Sequence, residues 1–227
     1  MSTPSSLQSL LAQSPWACEL APADRERAVR ELQVREVPAN GLVCAKGAPV
    51  TACFGVIDGL VKIASVSSDG KAVTFTGVPA GGWFGEGSLL KEEPRRYDGV
   101  ALRDSLIAVM PRATFQWLLD TCLPFNRFLI RQLNERLAQF IALVEFERML
   151  LPDARVARCL AQLFNPVLYP PRGPRLDISQ GEVGYLTGLS RQRANQALQA
   201  LEGAGLLKVE YGGITVLDLE GLRRFGD

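Results

Sequence analysis

The chain has 227 residues, of which 47% are hydrophobic, and its 25 Lys and Arg against 24 Asp and Glu give a formal net charge of +1. That length and apolar content predict two globular domains, and the near-zero charge argues against a polybasic tail or a membrane-surface protein. The sequence contains no histidine, which excludes His-ligated zinc or haem and Ser-His-Asp catalysis.

The five cysteines are scattered and form no Cys-x-x-Cys pair. We therefore expect buried free thiols rather than a disulfide framework or a zinc ribbon, and neither a metal nor a covalently bound cofactor. The N-terminal stretch has no basic segment ahead of its short apolar run, and no apolar run reaches the length of a membrane span. These features predict a cytoplasmic protein that is not membrane-bound.

Residues 1–35 have the pattern of short helices. After them the residue pattern changes to that of β-strands. From Val37 to Met110 short β-rich runs alternate with turn residues, and eleven of the 21 glycines fall in the range 41–99. The Asp-Gly pair within residues 68–71 is typical of a tight hairpin turn. Strands at this spacing predict a small barrel or sandwich.

A long helix is predicted to begin at Pro124 and to end at about residue 150. Apolar residues recur along it at alternating spacings of three and four, which is the pattern of a helix packed along another helix. We interpret this seam as the interface of a symmetric homodimer; the alternative is a helix lying on its own barrel. The seam consists of Ile130, Leu133, Leu137, Phe140 and Val144.

The last quarter of the chain predicts a helix-turn-helix. Leu151-Pro152-Asp153 ends the long helix and caps the next one. Ser179 and Glu182 form a capping box that starts a helix, and Gly188 permits the sharp turn after it. Ser190 caps a second helix, and the hairpin that follows Gly205 completes a winged helix-turn-helix.

The second helix of this unit begins with an unusual run of polar side chains. Arg, Gln and Asn can bond bidentately to guanine or adenine edges, and the N-terminal turns of such a helix enter the major groove. The buried face is predicted to be Ala194, Ala197, Leu198 and Leu201. The DNA-contacting set is predicted to be Ser179, Ser190, Arg191, Gln192, Arg193, Asn195 and Gln196, with Arg193 pointing toward the flank.

With these motifs the chain resembles the Crp/Fnr family of bacterial transcription regulators over almost its whole length. The resemblance implies an α+β fold with an N-terminal β-roll effector domain (1–123), a dimerisation helix (124–151) and a winged helix-turn-helix DNA-binding domain (152–227). It implies that Arg191 reads guanine beside Ser190. Gln192 stands where many members have glutamate and Gln196 where many have arginine, so the operator half-site differs from the commonest one.

The stretch Phe84-Gly85-Glu86-Gly87-Ser88-Leu89-Leu90 resembles the family's phosphate-binding cassette. Glycines let backbone N–H groups approach a phosphate, a carboxylate can hold a ribose hydroxyl and an arginine can neutralise a cyclic phosphate. We assign the last role to Arg96, ten residues after Glu86. The predicted effector-binding set is Phe84, Gly85, Glu86, Gly87, Ser88, Arg95, Arg96, Tyr97 and Asp98.

The identity of the effector stays open among cAMP, cGMP and cyclic di-GMP. Tyr97 stands where cAMP-binding relatives usually have Ser or Thr, Asp98 would repel a phosphate, and the helix region at 141–143 is apolar rather than hydroxylated. Tandem Arg95 and Arg96 could meet two phosphates and stack on guanine, so cyclic di-GMP is a competitor of the mononucleotides.

Three classes of function remain from the sequence. The first is a homodimeric regulator that binds a palindromic operator in double-stranded DNA and works with RNA polymerase. The others are an effector-independent regulator with an unliganded roll and a cyclic-nucleotide-binding subunit acting by protein interaction, which would not need the segment 178–218. We do not expect an enzyme, because the carboxylates near Asp98 lie in a charged loop.

Overall fold

The computed structural model describes residues 3–66, 72–149, 151–170 and 173–226. Three short helices come first, and eight strands with one short helix between them follow. The helices are α1 (Thr3–Gln13), α2 (Pro15–Cys18), α3 (Pro22–Glu31) and α4 (Glu86–Lys91). The strands are β1 (Gln33–Val37), β2 (Leu42–Cys44), β3 (Ala52–Asp58), β4 (Leu60–Val66), β5 (Ala72–Pro79), β6 (Trp83–Phe84), β7 (Asp98–Ala101) and β8 (Ser105–Pro111).

The eight strands form two antiparallel sheets, in the orders β1-β8-β3-β6 and β2-β7-β4-β5. Their inner faces enclose an apolar core, so the predicted β-roll is confirmed. Gly59 makes the corner between β3 and β4 at φ +102°, and a Cβ there would lie 2.2 Å from the Ser105 Oγ. The predicted turn at 68–71 lies outside the described residues, but β4 and β5 on either side of it do pair antiparallel.

The N-terminal helices are packed onto the roll through Trp16. Its ring is fully buried and makes edge-to-face contacts with Trp83 and Phe125, at 5.4 Å between ring centroids in each case. The Trp83 indole N–H donates to the Ser14 Oγ at 2.9 Å. Aromatic packing therefore joins α2, the roll and the long helix that follows the roll into one core.

That helix is α6 (Leu123–Met149), preceded by α5 (Arg112–Thr121). It is 27 residues long and begins one residue before the predicted Pro124. The face that packs on the roll carries Phe125 and Leu129, whereas the predicted seam faces away. The exposed fractions along the seam are 68% for Ile130, 38% for Leu133, 58% for Leu137, 41% for Phe140 and 52% for Val144. Apart from the contact of Phe140 with Phe75 at 6.3 Å, the seam does not lie on its own barrel.

The C-terminal part contains α7 (Pro152–Gln162), β9 (Arg175–Leu176), α8 (Gln180–Thr187), α9 (Arg191–Gly203), β10 (Leu207–Glu210), β11 (Gly213–Val216) and α10 (Leu219–Arg224). A three-stranded sheet in the order β10-β11-β9 packs beside the helices, and one apolar cluster that includes Val156, Leu198 and Leu222 fills the centre. The predicted winged helix-turn-helix is confirmed. The sequence did not predict β9 or α10.

The start of α7 differs from the prediction. Its N-cap is Leu151, which offers no side-chain hydrogen bond, and Pro152 occupies the first turn. Asp153 lies inside the helix and pairs with Arg193, so it does not cap the helix. Within the described residues no helix is both long enough and apolar enough to cross a membrane.

Candidate functional site

The first helix of the helix-turn-helix, α8, begins with the predicted capping box. The Ser179 Oγ accepts from the Glu182 backbone N–H at 3.3 Å, and the Ser179 backbone N–H donates to the Glu182 carboxylate at 2.6 Å. The helix ends at Gly188, which adopts φ +67°. A Cβ at Gly184 would lie 3.0 Å from the Leu189 carbonyl oxygen. Two glycines thus allow the tight turn that leads into α9.

The second helix, α9, separates its side chains into two faces. Ala194, Ala197, Leu198 and Leu201 are fully buried, as predicted. Arg191, Gln192 and Gln196 are exposed, and Asn195 is half-buried. Ser190 caps the helix by accepting from the Arg193 backbone N–H at 3.2 Å. The first turn of α9 is therefore polar and exposed, while the other face of the helix is apolar and buried.

Arg193 is placed differently from its neighbours on α9. Its guanidinium lies 2.6 Å from the Asp153 carboxylate of α7, and each of the two side chains is about one third exposed. The sequence did not predict this ion pair, because 40 positions separate its members. It turns Arg193 toward α7 and away from the exposed face that carries Arg191.

The wing is the hairpin of β10 and β11. Gly212 takes φ +72° at its tip, and the adjacent Tyr211 is fully exposed. Arg175 of β9 forms an ion pair with Glu210 of the hairpin and another with its neighbour Asp177. The wing therefore presents an exposed tip.

In the roll, the cassette begins at Phe84, the last residue of β6. Phe84 is 2% exposed and Glu86 is 5% exposed, and Gly85 adopts φ +100° at the start of α4. Ser88 is also buried, whereas a Cβ on Gly87 would meet open space. The cassette therefore combines a buried carboxylate with glycine backbone.

The arginine that the structure places in the cassette is Arg95, and the assignment of Arg96 to this position is corrected. Arg95 is 3% exposed. Its Nη1 donates to the Gly85 carbonyl oxygen at 2.7 Å, its Nη2 donates to the Ala52 carbonyl oxygen, and its guanidinium lies 5.2 Å from the centre of the Phe54 ring. Arg96 is largely exposed and pairs with Glu93 at 2.7 Å.

The backbone explains why Arg95 turns into the cassette, and not Arg96, which the spacing from Glu86 had indicated. Glu92 ends α4 in the left-handed region, at φ 54°. The Arg95 N–H then donates to the Ala48 carbonyl, and the Gly47 N–H donates to the Arg95 carbonyl. These bonds fix Arg95 against the loop before β3, so its side chain points inward and that of Arg96 points out.

Tyr97 and Asp98 stand close to the cassette but have different roles in the structure. Burial raises the pKa of the Tyr97 phenol, and the nearby Glu86 raises it further, so the phenol stays neutral. The Asp98 carboxylate accepts from the Lys46 backbone N–H at 2.7 Å. The Asp98 carboxylate is therefore held by the loop that follows β2.

The long helix contributes buried polar groups that the sequence reasoning missed. Gln132 is 1% exposed and Gln139 is 8% exposed. The Arg136 Nη2 donates to the Trp83 carbonyl at 3.1 Å, and the Gln132 side chain donates to the same oxygen at 3.4 Å. Spacings of four and three place these polar residues on one helix face, a signal that could have been found.

Comparisons with known proteins agree with this geometry. A family model described as "Cyclic nucleotide-binding domain" matches residues 34–122, and one described as "Crp-like helix-turn-helix domain" matches residues 154–225. The chain is 27% identical over 186 residues to the cAMP-activated global transcriptional regulator CRP of Haemophilus influenzae, covering 81% of this chain and 83% of that protein.

Two solved structures are similar to most of the chain. The Thermus thermophilus catabolite activator protein is 27% identical, with a TM-score of 0.51 over 92% of this chain and 98% of the other. The cyclic di-GMP-responsive global regulator CLP of Xanthomonas campestris shares the fold at 24% identity, with a TM-score of 0.60 over 86% of this chain and 99% of the other. The relatives are transcription regulators and not enzymes. Together, the roll, the long helix, the helix-turn-helix and these matches show that the chain belongs to the Crp/Fnr family of transcription regulators.

Proposed function

We propose that the protein is a homodimeric, sequence-specific DNA-binding transcription regulator whose roll binds a small effector. The observation that carries this proposal is the first turn of α9, where exposed Arg191 and Gln192 stand above a fully buried alanine and leucine face. A helix that served only for packing would gain nothing from that polarity. We retain the division into a roll (1–123), a dimerisation helix (124–151) and a DNA-binding domain (152–227).

The dimer is supported by the seam of α6. Five apolar side chains at heptad-like spacing are exposed in the single chain, and burial of such a stripe against its symmetry mate is the usual way in which it is covered. Twofold symmetry then relates two copies of α9. Their half-sites would be centred about one helical turn, roughly 34 Å, apart on a palindromic operator.

On the DNA, the proposed roles follow from exposure. Arg191, Gln192, Asn195 and Gln196 would contact base edges, because their donors and acceptors are free at the front of α9. Ser179 and Ser190 lie at helix starts, where phosphates bind favourably. Arg193 would contact the backbone at the flank only by competing with its ion pair to Asp153.

Selection of bound duplexes from a random pool tests the DNA-binding proposal. We expect a palindrome whose half-sites are about 10 base pairs apart. Enrichment of a single, asymmetric half-site would contradict the dimer, and no enrichment over bulk sequence would contradict specific recognition. A regulator of this kind works in the cytoplasm beside RNA polymerase, which we include in the proposal.

For the effector, we propose a cyclic nucleotide or cyclic dinucleotide in the cassette. Arg95 would bind a phosphate, Glu86 a ribose hydroxyl, and the backbone from Gly85 to Ser88 the remaining phosphate oxygens. Phe84 and Tyr97 would enclose the ligand, with Asp98 behind them and Arg96 at the rim. One relative is named as activated by cAMP and another as responsive to cyclic di-GMP, which supports both classes.

An unliganded roll is the second candidate, and one observation favours it. Arg95 already donates to two carbonyl oxygens and stacks on Phe54, so a ligand must displace contacts that the protein makes by itself. Calorimetric titration with cAMP, cGMP and cyclic di-GMP separates the two. Binding of one of them at micromolar concentration would support the effector, whereas no heat with any of the three supports the unliganded roll.

A further inference from the structure

An acidic side chain of α7 lies beside the proposed DNA-contacting residues of α9. The Asp153 carboxylate approaches the Arg193 guanidinium to 2.6 Å, and the two side chains are 34% and 33% exposed. Asp153 belongs to the first turn of α7, and Arg193 belongs to the first turn of α9. The starts of these two helices therefore meet in an ion pair at the edge of the polar surface of α9.

Both members of the pair project from backbones that are held in place. The Ser190 hydroxyl accepts from the Arg193 backbone N–H at 3.2 Å, which fixes the first turn of α9. Two residues after Asp153, the Arg155 Nη2 donates to the Thr187 carbonyl oxygen at the end of α8, at 2.9 Å. The first turn of α7 is thus tied to both helices of the helix-turn-helix, and the Asp153 carboxylate has a fixed position beside α9.

The charge at the start of α9 makes this carboxylate important. The first turn of α9 contains Arg191 and Arg193 but no acidic residue, although the positive N-terminal end of a helix favours anions. Asp153 supplies the missing negative charge from a neighbouring helix. A DNA phosphate at the same helix start would supply it too. Asp153 and a DNA phosphate therefore compete for the guanidinium of Arg193.

The ion pair should matter more for DNA binding than for folding. Ion pairs that water reaches contribute little to stability, and the approach of the Asp153 Oδ1 to Arg193 lacks the alignment of a hydrogen bond. On DNA, each neutralised phosphate releases counterions, and this changes affinity by about eightfold for a tenfold change in salt. Whether Arg193 is paired or available therefore has a measurable effect on DNA affinity.

We propose that Asp153 is a specificity-determining residue, which withholds Arg193 from DNA phosphates unless other contacts hold α9 in register. The proposal rests on the proposed sequence-specific DNA binding. On non-operator DNA no phosphate has a fixed position relative to α9, so Asp153 keeps the guanidinium. On the operator and its single-base variants, base contacts hold one phosphate next to Arg193, and its high effective concentration lets it displace Asp153.

Titration of the full-length Asp153→Asn protein with its selected operator and with a shuffled duplex of the same length, over a series of salt concentrations, tests this role. The amide keeps the size of the side chain and removes its charge. We expect affinity for the shuffled duplex to rise roughly fivefold or more at 0.1 M salt, and the salt slope to steepen by about 0.9 per protomer. Operator affinity should rise by a smaller factor, so discrimination between the two duplexes should fall.

The matched control for charge is Glu220→Gln. Glu220 pairs with Arg223 within α10, so this change removes the same charge and frees an arginine outside the helix-turn-helix. It should leave the salt slope at the wild-type value. Asp153→Glu, which keeps the carboxylate, should stay closer to the wild type than Asp153→Asn. An equal change in Glu220→Gln would overturn the proposal, because net charge alone would then explain the effect.

The Arg193→Gln background shows whether Asp153 acts through Arg193. Adding Asp153→Asn to Arg193→Gln should change the salt slope little, because no guanidinium is left to release. A rise as large as in the wild-type background would overturn the role of the pair. Melting curves confirm that each variant is folded, and they should differ little between Asp153→Asn and the wild type.

Failure of this proposal and failure of the proposed function give different results. If wild-type protein binds every duplex equally, sequence-specific recognition fails, and Asp153 has no discrimination to set. If the wild type prefers its operator but Asp153→Asn keeps the wild-type salt slope and the wild-type discrimination, the proposal about Asp153 is overturned while the proposed function stands.

Discussion

The recognition helix and the roll cassette are two binding surfaces built in opposite ways. On α9 the predicted contact residues project from one regular element, and Ser190 and Gly188 define its start. In the cassette the important groups come from distant segments: Glu86 from α4, Arg95 from the loop before β7 and Arg136 from α6. The first surface is set by local periodicity, whereas the second depends on how separate segments meet.

The largest expected effect concerns the seam of α6, which resembles α9 in being an exposed, periodic surface. Leu137→Glu should split the dimer, because a symmetric interface would bury an unpaired charge twice. Operator affinity should fall by about 100-fold or more as two linked half-sites become independent. Sedimentation velocity and operator titration measure both effects.

The control for the seam is Leu42→Glu, at an apolar position of the roll that is 55% exposed. It should leave both the mass and the operator affinity unchanged. A Leu137→Glu protein that still sediments as a dimer would show that the exposed apolar seam of α6 is not the dimer interface.

In the cassette, the two neighbouring arginines should differ in their effect on ligand binding. Arg95→Ala should weaken cyclic nucleotide binding by about 10- to 100-fold, since a sheltered charge-assisted phosphate contact has no substitute. Arg96→Ala should change it little, because that side chain is exposed and paired with Glu93. Calorimetry on both variants, with melting curves to confirm folding, measures the difference. The opposite order would restore the assignment made from the spacing to Glu86.

The smallest effect tests the local signals of the helix-turn-helix. Ser190→Ala removes the hydroxyl that accepts from the Arg193 N–H and should lower the free energy of unfolding by about 1 kcal/mol. Gln199→Ala, at an exposed position of the same helix, should have almost no effect. Urea denaturation followed by circular dichroism compares them. Equal stabilities for the two variants would mean that the cap does not define the helix start.

The sequence predicted best where interactions are short in range. The capping box of Ser179 and Glu182, the turn at Gly188 and the buried face around Leu198 all depend on residues three to five positions apart, and the structure confirms them. Local rules for caps and periodicity are sufficient in such places.

Other features depend on contacts between distant positions and were not predicted. The bonds from Arg95 to Gly85 and Ala52 span 10 and 43 positions, so counting residues from Glu86 could not decide which arginine turns inward. The insertion of Tyr169 into the roll spans 92 positions to Gly77. Nothing in the local pattern around Tyr169 indicates that partner.

Operator binding by Arg191→Ala on a base-substituted series shows whether α9 reads base edges. We predict a loss of about 1 to 3 kcal/mol with relaxed preference at one base pair of each half-site. Arg193→Ala, whose side chain pairs with Asp153, should give a smaller loss that is the same on every sequence. Equal, sequence-independent losses for both variants would make Arg191 a phosphate contact and would rule out base reading by α9 through this residue.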